Sequence, residues 1–573
     1  MQPGKLTATR PSAERIILKT KLIPYALLVL GQAAFAQQQP DAGSQMLQIQ
    51  PAPRPQSIEP IIRVAPSPVA QPADDSGARI MVKTLHVTGA QVYSEAQLLA
   101  LTRFTPDSLL SLADLRGMAA NITSHYRNNG YFVAQAYLPA QDVHDGTVTI
   151  AVIEGHYGKI TLNNQTNLSN GLAHSLLGGL KEGDLVASAP LENRLLLLSD
   201  VPGVKVNSTL VPGASVGDSD LIVNLTPGPR VSGEVDFDNA GNRYTGVYRV
   251  GGTLNLNNPL GRGDVASLRA MTTGSGLSYG RASYQMMFGK ATIGAAYSYL
   301  EYELGEEFES LLAHGTAKIA SLYGSYPLIR SRNNNMYAGL TYEDKTFQDK
   351  VDSTTPPQVT DKDAQVLTGS LYGSKRDRVG GGGINGYAIN WSFGNIDINT
   401  PAALVIDSQT AETNGHFSKL GIRASRLQYV TDSVSLYGSI NGQIASKNLD
   451  SSEKMELGGM YAVRAYPEGE AYADQGAVAN LEARYLLPKA HNGYPGQMHL
   501  VGFVDAGRVT IHKNPWASGS NNRILSGAGI GYTWQEVNNF SLKTYYAAKL
   551  GNEDAISAPD KSGRFWIQLV KYF

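Results

Sequence analysis

Residues 433–444 read SVSLYGSINGQI, the clearest alternating segment of the chain. Val434, Leu436, Ile440 and Ile444 fall on one side of an extended strand, with Gly438 and Gly442 between them. Ser433, Ser435, Tyr437, Ser439, Asn441 and Gln443 fall on the other. Successive side chains of a strand point to opposite faces, so this segment has one apolar and one polar face. A soluble sandwich shows the same alternation, but its strands are usually about five or six residues long. A strand that crosses a bilayer at a tilt needs about ten.

The pattern repeats outward from that point. In 477–487, Ala477, Ala479, Leu481, Ala483, Tyr485 and Leu487 alternate with Val478, Asn480, Glu482 and Arg484. In 539–549, Phe540, Leu542 and Tyr546 oppose Ser541, Lys543 and Tyr545. From 230 to 573 there are about 16 such segments, joined alternately by tight turns and long loops. The chain ends on an aromatic strand, RFWIQLVKYF. An even number of antiparallel strands can close with no free edge, as a sheet inside lipid must. The prediction for 230–573 is therefore an all-β transmembrane barrel of about 16 antiparallel strands. Such a barrel is wide enough for an aqueous lumen, and its inward faces are expected to be polar.

Composition agrees. The chain has 573 residues, 60 Gly and 30 Tyr, against 13 Phe and 4 Trp. Tyr pairs an apolar ring with a polar tip, which suits a membrane interface. There is no Cys, hence no disulfide, thiol nucleophile or Cys-based metal site. The net charge of −1 offers no basic excess for a nucleic-acid partner. His86, His125, His144, His156 and His174 are scattered without metal-ligand spacing, and no nucleophile elbow is present. The GGGG run at 380–383 lacks the Lys-Ser/Thr of a phosphate-binding loop. The chain is read as a non-enzyme that needs no cofactor.

The N-terminus is read as a signal peptide over 1–36. Lys19 and Lys21 precede LIPYALLVL, and Ala34-Phe35-Ala36 supplies a cleavage pattern. That apolar run is too short to span a bilayer, and no later one reaches about 18 residues. A Pro/Gln-rich linker over 37–77 follows, with a short helix around 44–50. Two small α+β units of like build come next, over 78–155 and 156–229, each in the order β-α-α-β-β. In the first, IMVKTLHVTGA reads as one strand. Ser94 opens one helix, and 112–128 form a second that stops at Asn129-Gly130.

One loop in the barrel, 449–474, is long, charged and rich in Gly and Pro; it contains VRAYPEGEAYADQG. With two periplasmic domains ahead of a barrel, this chain resembles the TpsB transporters of two-partner secretion, within the BamA-like outer-membrane superfamily. That family carries Val-Arg-Gly-Tyr/Phe at the tip of a loop folded into the lumen. Val463, Arg464 and Tyr466 match, with Ala465 in the place of the family's Gly. A second family motif, F-x-D-x-G on the thirteenth barrel strand, appears as Phe503, Asp505 and Gly507. Alternation sends Met498, Leu500 and Val504 to lipid, and so Phe503 and Asp505 to the lumen. A third match is NPLGRGD at 258–264, similar to the superfamily's G-x-G-D hairpin through Gly261, Gly263 and Asp264. Its Arg-Gly-Asp is read as a barrel-rim turn and not as an adhesion site.

The resemblance implies two POTRA-like periplasmic domains, a pairing of Arg464 with Asp505, and a C-terminal strand signal ending at Phe573. It implies an outer-membrane pore that exports a secreted partner protein. That cargo would bear an N-terminal secretion domain, cross unfolded, and fold outside as a β-helical adhesin or haemolysin-like protein. It implies contact with outer-membrane lipid, and with the barrel assembly machinery during biogenesis. In this family a helix ahead of the first domain can plug the pore, and the 44–50 helix would fill that place. Two alternatives stand beside this reading. An assembly insertase shares the loop motif but usually has more periplasmic domains. A nutrient channel needs none.

Overall fold

The computed structural model describes residues 39–50, 61–64, 77, 79–488 and 493–573. The predicted signal peptide, 1–36, lies outside them, as does most of the linker. A helix, α1 (Ala42–Leu47), and a strand, β1 (Ile61–Val64), precede the first domain.

In the first POTRA-like domain, β3 (Thr84–Thr88) pairs parallel with β6 (Thr147–Ile153), which pairs antiparallel with β5 (Gln135–Tyr137). Helices α2 (Glu95–Thr102) and α3 (Leu112–Asn128) cover the sheet. Capping boxes start both: Ser94 with Gln97 and Ser111 with Asp114. Val87, Leu98, Leu115, Ile122, Tyr126 and Ile150 form the core. The strand read as IMVKTLHVTGA is in fact two. The amides of Lys83 and Thr84 both donate to the Gly146 carbonyl, at 2.8 and 3.3 Å, and this bends the chain. The first half, β2 (Arg79–Val82), leaves the sheet to pair with β4 (Ser108–Ser111), which sequence reading did not foresee.

The second domain orders its sheet β1-β8-β9-β7, with β7 (His156–Asn164), β8 (Val204–Pro212) and β9 (Asp218–Pro227). Helices α4 (Asn170–Leu177) and α5 (Ser188–Ser199) pack on it. The two domains touch where the Val186 and Ser188 amides donate to the carbonyls of Gly155 and Gly130, each at 2.9 Å.

Sixteen antiparallel strands then close a barrel. They are β10 (Val231–Asp238), β11 (Arg249–Asn257), β12 (Val265–Thr272), β13 (Leu277–Phe288), β14 (Ala291–Glu303) and β15 (Ala313–Arg330). Next come β16 (Asn334–Val351), β17 (Gln358–Asp377), β18 (Gly383–Ile398), α6 (Pro401–Gln409), β19 (Gly415–Tyr429) and β20 (Val434–Ala445). After a long loop holding the two-residue strands β21 (Met455–Glu456) and β22 (Tyr472–Ala473), the wall resumes. Its last strands are β23 (Gln475–Leu486), β24 (Gln497–Thr510), β25 (Asn522–Glu536), β26 (Phe540–Lys549) and β27 (Gly563–Tyr572). β10 pairs with β27 to close the ring. Leu436, Ile440, Ile444, Leu481, Leu500 and Val504 lie open on the outer surface, the face that lipid covers.

One expectation needs correction. The inward face is not polar throughout. Met271, Tyr279, Leu300, Tyr302, Phe347, Val366, Ile396 and Phe417 point inward and form one apolar cluster with Ala42 and Leu449. They face protein rather than water, because α1 and the long loop fill that part of the lumen. A packed protein contact favours apolar side chains there.

Candidate functional site

The long loop leaves β20, folds into the lumen and returns to β23, so its tip lies against the inner faces of β23, β24, β26 and β27. At that tip Arg464 is buried, and Asp505 on β24 is wholly so. The Arg464 amide and Nε donate to Asp505 Oδ2 at 3.1 and 2.9 Å, and Nη2 donates to Oδ1 at 2.8 Å. The remaining fork position, Nη1, donates to Glu482 Oε1 on β23 at 2.8 Å. The guanidinium lies 3.6 Å from the Phe503 ring centre and 4.9 Å from that of Tyr545. A planar five-donor cation can hold Asp505 through two parallel donors while a third meets Glu482 and its face lies on an aromatic ring; an ammonium has no such fork.

The surroundings hold this pair in place. Asn480 Nδ2 donates to Asp505 Oδ1 at 2.7 Å and to the Ala462 carbonyl at 2.8 Å. Trp566 Nε1, on the last strand, donates to the Arg464 carbonyl at 2.7 Å. The tip therefore bridges the start of the wall's last third to its final strand. Glu482, Asn480, Tyr545 and Trp566 were not among the sequence candidates. Asn480 and Glu482 stood on the polar face of a segment whose alternation was plain, but nothing in the sequence linked that face to residue 464.

Small residues make room for the tip. A Cβ at Gly507 would lie 2.3 Å from Leu457 Cδ1, and one at Gly527 would lie 2.4 Å from Ala465 Cβ. Ala465 is not among the residues with positive φ, so the backbone makes no demand here that alanine fails to meet. Val463 is buried in the same cluster. The Tyr466 hydroxyl donates to the Glu553 carbonyl at 3.0 Å.

Outside the tip, ion pairs ring the loop. Glu453 meets Lys345 and Lys419, each at 2.8 Å; Lys454 meets Asp474 at 2.6 Å; Asp450 meets Lys362 at 2.8 Å. Glu470 pairs with Arg523 and accepts from the Ile556 and Ser557 amides at 3.1 Å, tying the loop to the β26–β27 connection.

α1 sits beside the loop inside the barrel. Capped by Asp41, it runs Ala42–Leu47, earlier than the 44–50 segment expected, because Asp41 and Ser44 form a capping box. The Ala42 amide donates to Asp349 Oδ1 on β16 at 2.8 Å, and Asp41 accepts from Ser451 Oγ at 2.5 Å. Thr245 donates to Gln45 at 2.9 Å, Arg249 donates to the Gln48 carbonyl at 3.1 Å, and Gln48 donates to Tyr472. Helix and loop thus occupy the extracellular half of the lumen as one packed body.

The third motif lies at the other end. Gly261 and Gly263 take positive φ in the turn between β11 and β12. Asp264, wholly buried, accepts from the Leu260 and Arg262 amides at 3.1 and 3.0 Å and from the Tyr284 hydroxyl at 2.8 Å. The turn seats the second domain: the Ser169 amide donates to the Gly261 carbonyl at 2.8 Å, and Asn258 Nδ2 donates to Asn167 Oδ1 at 2.9 Å. Phe573 exchanges backbone hydrogen bonds with Gly233 at 3.0 and 3.1 Å, at the barrel's closing seam.

Residues 217–534 match the family described as haemolysin secretion/activation protein ShlB/FhaC/HecB, and 80–155 match the ShlB-type POTRA domain. The heme/hemopexin transporter protein HuxB of Haemophilus influenzae (strain 86-028NP) is 30% identical, over 95% of this chain and 97% of its own length. The outer membrane transporter CdiB of Dickeya dadantii (strain 3937) is 25% identical over 74% of each chain. The solved structure of CdiB from Escherichia coli superposes with a TM-score of 0.65 at 20% identity, covering 88% of this chain and 93% of that one. With the barrel, the two periplasmic domains and these matches in hand, the chain belongs to the ShlB/FhaC/HecB family of outer-membrane two-partner secretion transporters.

Proposed function

We propose that this transporter exports one dedicated partner protein, received unfolded at the periplasmic domains and passed through the lumen once α1 and the long loop give way. One observation carries this reading: two parts of the same chain fill the extracellular half of the lumen. They are held there partly by ion pairs and hydrogen bonds, which can exchange for others. In this reading Arg464 fixes one position of the loop among many, and α1 is the plug. A buried ion pair is weak evidence for global stability but suits registry.

Export uses no nucleotide in this account. Backbone pairing at a sheet edge accepts an extended cargo with little demand on its sequence. The cargo's N-terminal secretion domain would be the part recognised, and its folding outside would draw the chain across. The C-terminal strand ending at Phe573 would be read by the barrel assembly machinery before insertion. No step calls for catalysis.

The test compares secreted and surface proteins of the host with and without this gene. Loss of one large exported protein with other barrels unchanged is the expected result, and it identifies the cargo. Depletion of many barrels would establish an insertase. Altered solute uptake with no protein change would establish a nutrient channel.

A further inference from the structure

The second domain's sheet carries a strand that its own α+β unit does not supply. β1, from the linker, pairs in parallel with β8: Ile61 with Asn207, Ile62 with Ser208, Arg63 with Thr209 and Val64 with Leu210. Without β1, β8 would be the sheet's edge, with a row of unpaired backbone groups open to any extended chain. Within this domain Ser208 and Leu210 are buried, while Asn207 is exposed. The edge therefore offers one apolar side and one wet side to whatever joins it.

β1 is built to be replaced. It has four residues, IIRV, and the sequence brackets them with Pro60 and Pro66. Proline has no N–H to give a ladder, so lengthening the pairing past those points would forfeit a hydrogen bond wherever that position faces β8. A longer partner strand of alternating β-branched residues could pair along more of the nine-residue β8.

β1 is also joined to the plug. Residues 49–60 link it to α1, a span of at most about 45 Å when fully extended. Two short contacts on one tether support each other, because each holds the other at an effective concentration of about millimolar. Removing one weakens the other without touching it.

We propose that Ile61–Val64 is an intramolecular stand-in for the partner protein: it covers the β8 edge at which an extended segment of the partner joins, and its displacement loosens α1 in the lumen. This rests on the reading that the periplasmic domains receive the partner as an extended chain.

The chain's lack of Cys makes a direct test clean. In full-length protein carrying Arg63→Cys and Thr209→Cys, the two sulfurs sit on registered neighbours about 4.8 Å apart at Cα, within disulfide reach. Arg63 is exposed, so oxidant has access. The expected result is ready cross-linking, a tenfold or greater loss of export when oxidised, and recovery on reduction. Failure to cross-link would overturn the pairing itself. Cross-linking with export at the wild-type rate would overturn the competition, yet leave receipt of the partner elsewhere on the periplasmic domains standing, so the two failures are distinguishable. The coupling has its own readout: Arg63→Pro is expected to raise ion conductance of the full-length protein in planar bilayers severalfold. Unchanged conductance would sink the link to α1.

Discussion

Arg464 makes more contacts than its motif announces. It answers Asp505 with three donors and Glu482 with a fourth, between two aromatic rings. Removing one member of such a buried set leaves the others unpaired, a cost of about 3–5 kcal/mol. Arg464→Ala and Asp505→Ala are each expected to cut export tenfold or more while the barrel still inserts and migrates as a heat-modifiable band. Wild-type export from both would end the registry account. Arg464→Lys should fall with the alanine variant, because an ammonium lacks the planar fork that holds Asp505 bidentately while also reaching Glu482. At the neighbouring position, Ala465→Gly should leave export near wild type, since Gly527 already yields the space. Gly527→Leu should block the seat and behave like Arg464→Ala.

A second residue-scale feature sets a pH dependence. Inside the loop, burial pushes the Glu456 carboxyl up to about 7, against the lowering effects of the Gly469 amide, Glu468 and Arg249. Glu468 is raised well above its ordinary range by burial and then by Glu456, with Arg249 and the Met460 amide opposing. Tyr472 also faces the pair. A carboxyl with a raised folded-state value favours the docked loop while protonated. That support is full below about 4.5, the ordinary value, and is lost as pH rises through about 7. Protection factors of the amides in 455–472, with the intrinsic pH dependence of exchange divided out, should therefore be higher at pH 5 than at pH 8. Glu456→Gln should flatten the difference, and an unchanged profile in that variant would rule the pair out as its source.

At the scale of elements, α1 is the informative case. Six residues are far too few for a helix stable by itself in water. It exists because Asp41 caps it and because Ala42, Gly43, Ser44 and Gln45 are buried in the lumen. Gly43 packs onto the loop so closely that a Cβ there would lie 2.7 Å from Ser451 Oγ and 2.8 Å from the Ser452 amide nitrogen. Gly43→Leu should expel the helix and increase single-channel conductance in planar bilayers, with the barrel's thermal stability little changed. Conductance equal to wild type would mean that α1 does not obstruct the path. The divided strand at Lys83 teaches a related point. Its alternation breaks at Lys83-Thr84, where two polar residues stand side by side, and the Gly146 carbonyl, from a distant turn, holds the bend there.

At the scale of the whole molecule, the second domain is joined to the barrel floor and does not hang free. Met287, at the periplasmic end of β13, packs into that domain's own core. Arg330, the last residue of β15, meets Asp200 at 2.7 Å, and Arg332, in the turn after it, meets Glu192 at 2.7 Å. Met287→Asp would bury an unpaired charge in this joint. The expected outcome is faster proteolysis between the domain and β10, with the barrel still folded and export reduced. Proteolysis at the wild-type rate would show that the seat does not depend on this contact.

Strand number, the outward faces of the wall and the place of the long loop were legible in the sequence, because a period of two and the length of a membrane crossing are local properties of the chain. The paired motifs around Arg464 and Asp505 were legible as a resemblance. Their geometry was not, since Asn480, Glu482, Tyr545 and Trp566 converge on residue 464 only when the sheet closes and brings the last strand beside the first. The apolar interior could not be read either. Inward residues such as Leu300, Phe347 and Phe417 look misplaced for a water-filled pore until α1 and the loop lie against them. The pairing of β1 with β8 belongs to the same class: four residues among prolines, though mostly β-branched, are too few to form a strand alone, and an open sheet edge supplies the partner. Local periodicity determined the wall of this protein; what fills the wall and what covers its periplasmic edges depended on contacts between segments far apart in sequence, which only the closed barrel brings together.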